Sequence, residues 1–362
     1  MKLSVKTAVL QEMLSKAVKG VGNNKFLPIT SLLGIEYDGS EFVLITTDST
    51  NYLYVRSGLV EAEEEFYVTV NADTFAKLIS KTTSENVTLE LMDNYLEVAG
   101  NGTYKIELPF DESGNVIKYP NPIAKIKNVA VESGTIKYSI VKQIINSVKS
   151  SLATTADVPS YMNYYVKDKV IGTDTYKIAC LNEEVFQSAR LVSSNLMNLV
   201  SVTDCADIEY DIYDDGIMLF TADDITVYGK QAEGLNDYSI SAIENLIDLT
   251  ADGHCVVQKD TLLQVLDRLM LFVNPYDRNA INLKFKDNCL TVESLTSSGI
   301  ESIKCDETNG IEFVCSVDIE MLCTQVKSIA GTTVDIYYGN SNALKLKNGN
   351  LIQIIALLES VE

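Results

Sequence analysis

Apolar residues recur along this chain in two alternating rhythms. In "VKTAVLQEMLSKAVKGVG", Val9, Leu10, Met13, Leu14 and Ala17 fall at 3.6-residue spacing, which predicts an amphipathic helix. Gly20 offers its stop. "IKYSIVKQIINSVKSSL" repeats the stripe with Ile140, Val141, Ile144, Ile145 and Val148. "VQKDTLLQVLDRLMLF" repeats it with Leu262, Val265, Leu266 and Leu269. Each of these helices is short and follows a short strand.

A second series lies between them. The stretches starting at Phe66, Arg190 and Phe313 each read as strand, helix, then alternating strands. Each of these helices opens just after a Ser or Asn able to cap it. Period-2 strands follow at Val87-Leu89-Leu91, Ile208-Tyr210-Ile212 and Val334-Ile336-Tyr338. Turn residues fall at matching places: Asp93-Asn94, Asp214-Asp215-Gly216 and Asn340-Ser341-Asn342. A further echo joins "ITTDSTNYLYV" at Ile45 to "IGTDTYKIACL" at Ile171, their Thr-Asp pairs 126 residues apart. The pattern predicts an α+β protein of three repeated domains, 1–124, 125–246 and 247–362. Each domain lays two helices on antiparallel sheet. "KYPNPIAK" and "SAIENLIDLTADG" carry the boundaries.

Composition changes this picture little. The chain is 46% apolar and 22% charged, enough to build packed cores. It has no run of apolar residues long enough to cross a membrane as a helix. Its amphipathic start lacks a signal-peptide cleavage pattern. The seven cysteines never form C-x-x-C and read as small core residues of a reducing compartment.

Little here suggests catalysis or a metal. No P-loop, G-x-G-x-x-G or G-x-S-x-G occurs. The single histidine, His254, stands in "TADGHCV" without a partner motif and reads as a surface or boundary residue. Asp214-Asp215 and Asp223-Asp224 have the chemistry to hold Mg²⁺, but their place at strand ends favours hairpin turns. Asp48 and Asp174, each just after a Thr, read as carboxylates that accept backbone N–H groups and shape a turn.

Charge is distributed unevenly. The formal total is −21, which argues against simple adsorption to nucleic acid. Yet the helix windows 6–19, 72–84, 138–152, 193–204, 259–271 and 317–329 together carry +3, leaving −24 to the rest. Lysines on solvated helix faces are ordinary one by one. As a set, they suggest a helix-lined surface that meets a polyanion, with an acidic sheet facing away.

The opening through Val55, with Leu27-Pro28-Ile29 and the strand pair ending at Thr47-Asp48, resembles the bacterial DNA polymerase III beta subunit family, the beta sliding clamps. "GTDTYKIA" and "LNDYSI" resemble that family's second-domain signatures, so the resemblance runs essentially the full length. It implies a head-to-tail homodimer forming a six-domain ring around duplex DNA, with helices lining the hole and sheet outside. Such a ring is a cytoplasmic processivity factor, not an enzyme, and needs no cofactor or metal. Its partners are double-stranded DNA, the replicative DNA polymerase and a clamp loader.

The resemblance also assigns residues. A partner-peptide pocket between the second and third domains falls on Met162, Thr173, Thr175, Tyr176, Lys177, Ile178, Asn236, Ile240 and Ser241, and on Ile354, Ile355, Ala356 and Leu357. Met162, Ile178, Ile354, Ile355 and Leu357 are expected as its apolar floor, with the Thr173 and Tyr176 hydroxyls at the rim. DNA contacts are expected from Lys6, Lys16, Lys19, Asn24, Lys25, Lys77, Lys81, Lys142 and Lys149. The dimer edges are expected at Tyr104 and Ile106 in one domain and Leu271 and Phe272 in another. Two departures mark a divergent or phage- or plasmid-type member. Thr175-Tyr176-Lys177 stands where the family commonly has Gly-His-Arg, and the ending "IIALLESVE" is acidic. A repeat-built binding protein that never meets DNA is the rival from another class.

Overall fold

The computed structural model describes residues 1–359 except 59, 63, 156, 297, 340 and 341, so most of the predicted turn at 340–342 lies outside the described residues. The seven helices found there are α1 (Thr7–Ala17), α2 (Ala72–Ser80), α3 (Tyr138–Ser147), α4 (Ser194–Val200), α5 (Ile240–Ile247), α6 (Lys259–Leu269) and α7 (Ile319–Ser328). Six of them begin at the residue directly after a strand; α1, α3 and α6 are the helices of the predicted apolar stripes, and α2, α4 and α7 those of the second predicted series. The stripes point inward: Leu10, Met13, Leu14 and Ala17 of α1, and Leu262, Val265, Leu266 and Leu269 of α6, are all buried. Each such leucine contributes about 2 kcal/mol by leaving water.

Capping follows the expectation in part. Asn71 accepts the Thr74 N–H and starts α2. In the third repeat, however, no Ser or Asn caps α7; Asp318 does, accepting the N–H groups of Glu320 and Met321. The α5 helix lies outside the predicted series. It occupies the stretch read as a domain boundary, and it buries Ile243 and Ile247. Eight residues with two inward apolar positions give too short a period to stand out from a linker.

The chain divides into two compact units, residues 1–141 with 195–231, and 142–194 with 232–362. The first unit holds a five-stranded sheet and an eight-stranded sheet, both antiparallel. The five-stranded sheet ends in the edge strand Thr103–Glu107. In the eight-stranded sheet, Ile225–Lys230 pairs with Tyr52–Ser57 in the register Ile225↔Val55. Arg56 crosses that seam, its guanidinium donating to Thr226 Oγ1 at 2.8 Å.

The second unit holds a nine-stranded and a four-stranded sheet. At the middle of the larger one, Lys177–Leu181 pairs with Leu351–Ala356, Ile178 opposite Ile354. These two seams, 55↔225 and 178↔354, join stretches far apart in sequence. Compactness therefore cuts through the middle of the second sequence repeat. Among the described residues, no helix is long and apolar enough to cross a membrane.

Candidate partner-peptide site and DNA-facing residues

The two Thr-Asp stretches fold into the same turn. Thr47 Oγ1 donates to the Asn51 carbonyl at 2.6 Å and accepts from the Ser49 N–H. Thr173 Oγ1 donates to the Lys177 carbonyl at 2.9 Å and accepts from the Thr175 N–H. Asp48 Oδ1 accepts the N–H groups of Thr50 and Asn51, and Asp174 Oδ1 those of Tyr176 and Lys177. The residue after each Asp takes a left-handed backbone, Ser49 at φ 90° and Thr175 at φ 80°. A β-branched residue there is unusual, and the carboxylate's grip on the two following N–H groups holds it. Gly172 precedes the second turn because a Cβ there would sit 2.9 Å from Val148 Cγ1 and from the Val148 carbonyl oxygen.

This geometry corrects several assignments. Thr173 is 2% exposed and its hydroxyl is committed to the turn, so it offers nothing at a rim. Lys177 turns back to Asp174, Nζ lying 2.6 Å from Oδ2, with the two side chains only 13% and 19% exposed. Its charge is spent inside the protein. Tyr176 projects from the turn at 61% exposure, beside the exposed Thr175.

Behind the turn lies an apolar cluster of Tyr161, Tyr165, Ile171, Ile178, Cys180, Leu191, Tyr238, Ile243, Ile247 and Ile354. Tyr238 packs edge-on against Tyr161 at 5.0 Å and hydrogen-bonds the Ile171 carbonyl. Ile178 and Ile354 belong to this cluster, and Ile240 packs at its margin. Ile355 does not. Successive residues of a strand face opposite sides, and Ile355, with Gln353, points to the other face, where Gln353 donates to Ser328 of α7. Ile355 is fully buried there.

The remaining pocket candidates lie closer to the surface. Met162 is 39% exposed. Asn236 and Ser241 are exposed, and Leu357 is half-buried. The Ala356 N–H donates to the Tyr176 carbonyl, tying the C-terminal strand to the turn. The residues missed from sequence are those of α5 and its approach, Tyr238, Ile243 and Ile247. Their i, i+4 pair was the available signal.

The DNA candidates fall on or beside helices and in one loop. Lys6, Lys19, Asn24, Lys25, Lys81, Lys142 and Lys149 are exposed. Lys16 and Lys77 are each paired with an acid one turn back, Glu12 at 3.4 Å and Asp73 at 2.7 Å. Of the edge candidates, Tyr104 is 44% exposed, Leu271 81% and Phe272 48%, whereas Ile106 is buried in its own sheet and presents no side chain. Ile300, which begins the edge strand of the four-stranded sheet, adds a further exposed apolar group.

The Tyr213 N–H donates to the Ile217 carbonyl across Asp214-Asp215, closing a hairpin. His254 sits within the strand Gly253–Gln258, partly exposed, its Nε2 3.0 Å from Asp335 Oδ1 and its ring against Tyr337. Five of the seven cysteines are buried and all seven are free. No group of three or more His, Cys, Asp or Glu that could hold a metal occurs among the described residues.

Comparison with known proteins gives a consistent answer. Residues 1–118 match the family described as DNA polymerase III beta subunit, N-terminal domain. A beta sliding clamp of Halalkalibacterium halodurans is 21% identical over 309 residues, 77% of this chain and 76% of that protein. Among solved structures, the DNA polymerase beta subunit of Streptococcus pyogenes superposes with a TM-score of 0.86 at 16% identity, over 99% of this chain and 100% of that one. The DNA polymerase sliding clamp of Bacillus subtilis gives 0.85 at 16% identity, over 99% of both chains. The fold of the whole chain is that of these clamps.

Proposed function

We propose that this chain, a divergent member of the bacterial beta sliding clamp family, is a processivity clamp that encircles duplex DNA and tethers a replicative polymerase to it. The observation that carries the reading is the full-length correspondence with clamp structures at TM-scores of 0.85 and 0.86. The six strand-to-helix junctions, two in each third of the chain, support a division into the three domains 1–124, 125–246 and 247–362. Two chains joined head to tail make a closed ring of six such domains. Closure pairs the unpaired edge at Thr103–Glu107 with that at Ile300–Lys304 and covers Tyr104, Leu271, Phe272 and Ile300.

The helices face the DNA. Lys6, Lys19, Lys25, Lys81, Lys142 and Lys149 touch phosphates rather than base edges, so direct binding is weak, sequence-independent and salt-sensitive. The acidic remainder of the chain discourages adsorption of nucleic acid elsewhere. The work done is topological and involves no catalysis. A clamp loader opens the ring.

Partner peptides dock where Tyr176 and Met162 rise over the Ile178–Ile354 cluster, with Asn236, Ile240 and Ser241 at its border. This surface differs from a peptide site that offers an arginine fork, because Lys177 is held by Asp174 and cannot grip a peptide carboxylate. It therefore selects partners by apolar anchors. Negative-stain microscopy of the purified protein tests the assembly. A ring with a hole wide enough for duplex DNA supports the reading, and compact particles of one chain would refute it.

A further inference from the structure

The loop that follows α1 holds an aromatic ring in water. Phe26 is 94% exposed, yet its loop is not slack. The Gly22 N–H donates to the carbonyls of Thr30 and Thr47, the Asn24 N–H to Thr30 Oγ1, the Phe26 N–H to Asn24 Oδ1 and the Leu27 N–H to the Asn24 carbonyl. Gly22 lies so close to the neighbouring turn that a Cβ would meet Asp48 Cα at 2.9 Å. The fold thus fixes the loop and presents Phe26 outward, although leaving such a ring in water forgoes about 2 kcal/mol of burial.

Beside this ring opens a cavity of about 720 Å³, within the size range of small-molecule sites. Its lining includes Asn23, Asn24, Asn195 and Asn198 and the lysines Lys19 and Lys25. The one acid in it, Asp48, does not present bare charge. Its two oxygens accept the Thr50 and Asn51 N–H groups, the Asn51 amide and, at 3.5 Å, the Asn195 amide.

An exposed aromatic face, asparagine side chains and cations for phosphate together fit one nucleotide. A base inside a duplex has no free face for the ring. We infer that the Lys19–Phe26 loop and its cavity bind one unstacked nucleotide of single-stranded DNA, with the base on Phe26. This rests on the reading of that loop as DNA-facing, but its test does not depend on a closed ring.

The chain contains no tryptophan, so Phe26→Trp installs a single fluorescent reporter at a position whose exposure leaves the fold undisturbed. Titration at low salt with a twelve-nucleotide oligodeoxyadenylate should quench its emission, while a duplex of equal length and inorganic phosphate should not. In the otherwise unchanged protein, Phe26→Ala should weaken single-strand binding roughly 5- to 150-fold and leave duplex binding as it was. Absent quenching, quenching by duplex as strong as by single strand, or an unchanged affinity in Phe26→Ala would each overturn the proposal. Failure of the ring to stay on circular DNA would leave these readouts standing, which separates the two claims.

Discussion

Asp174 reaches Lys177 with its carboxylate 2.6 Å from Nζ, and the same carboxylate's other oxygen takes the Tyr176 and Lys177 N–H groups. Removing it leaves a largely buried ammonium and two backbone donors without their partner. Asp174→Ala should lower stability by about 1.5–3 kcal/mol, measured by urea unfolding. Asp174→Asn retains an oxygen for the backbone and should cost less. Equal losses for the two variants would show that the ion pair, not the turn, carries the effect.

Cys205 offers a titration that can be followed chemically. Its Sγ lies 3.0 Å from Asp223 Oδ2, and that carboxylate, aided by partial burial, pushes the thiol up to about 11. The thiolate is the reactive form, so alkylation by iodoacetamide at pH 8 should be slow although the residue is partly exposed. Asp223→Asn removes the charge, lowers the thiol toward its ordinary value and should speed modification at this cysteine at least about tenfold. Mass spectrometry of the labelled peptide reads the rate. A rate unchanged by the substitution would show that Asp223 does not govern the thiol.

Tyr176 and Met162 are the side chains by which the proposed partner surface can be altered without disturbing the core. Tyr176→Ala should weaken a glutamine-containing clamp-binding peptide by about tenfold or more, as loss of an anchor does, with the unfolding midpoint unchanged. Removing the chain from Ile355 onward is a poorer test. Ile355 is fully buried on a mid-sheet strand, so that truncation should unfold its unit. Isothermal titration decides the first point, and unchanged affinity in both Tyr176→Ala and Met162→Ala would place the peptide elsewhere.

Leu271 is 81% exposed, and Ile300 55%. A charge at Leu271 costs the single chain nothing but must be buried unpaired in the proposed closed ring. Leu271→Asp should sediment as a monomer under conditions where the parent sediments as a dimer, with no loss of monomer stability. A dimeric Leu271→Asp would move the interface off this edge.

How much of this was legible in sequence varies with the physics of each element. The α1 and α6 stripes ran for three turns and were unmistakable; α5, with Ile243 and Ile247 alone facing inward, was not. The Thr-Asp echo announced two equivalent turns because an Asp after a strand can take the next N–H groups with no tertiary help. What those turns do with their third residue was hidden. Whether Lys177 points to a ligand or to Asp174 is decided by a side-chain torsion, not by residue type. Ile354 and Ile355 cannot share one floor, because strand alternation sends them to opposite faces. Asp318 in place of a Ser or Asn cap shows the opposite case, where several residue types satisfy one need.

The central claim is that the protein holds DNA by enclosing it. Loaded on nicked circular DNA by the clamp loader of its own genome, it should remain bound on gel filtration in salt high enough to abolish its binding to linear fragments. Cutting the circle should then release it within the time needed to slide off an end. Equal retention on circular and linearised DNA, or loss from both at the same salt, would contradict enclosure.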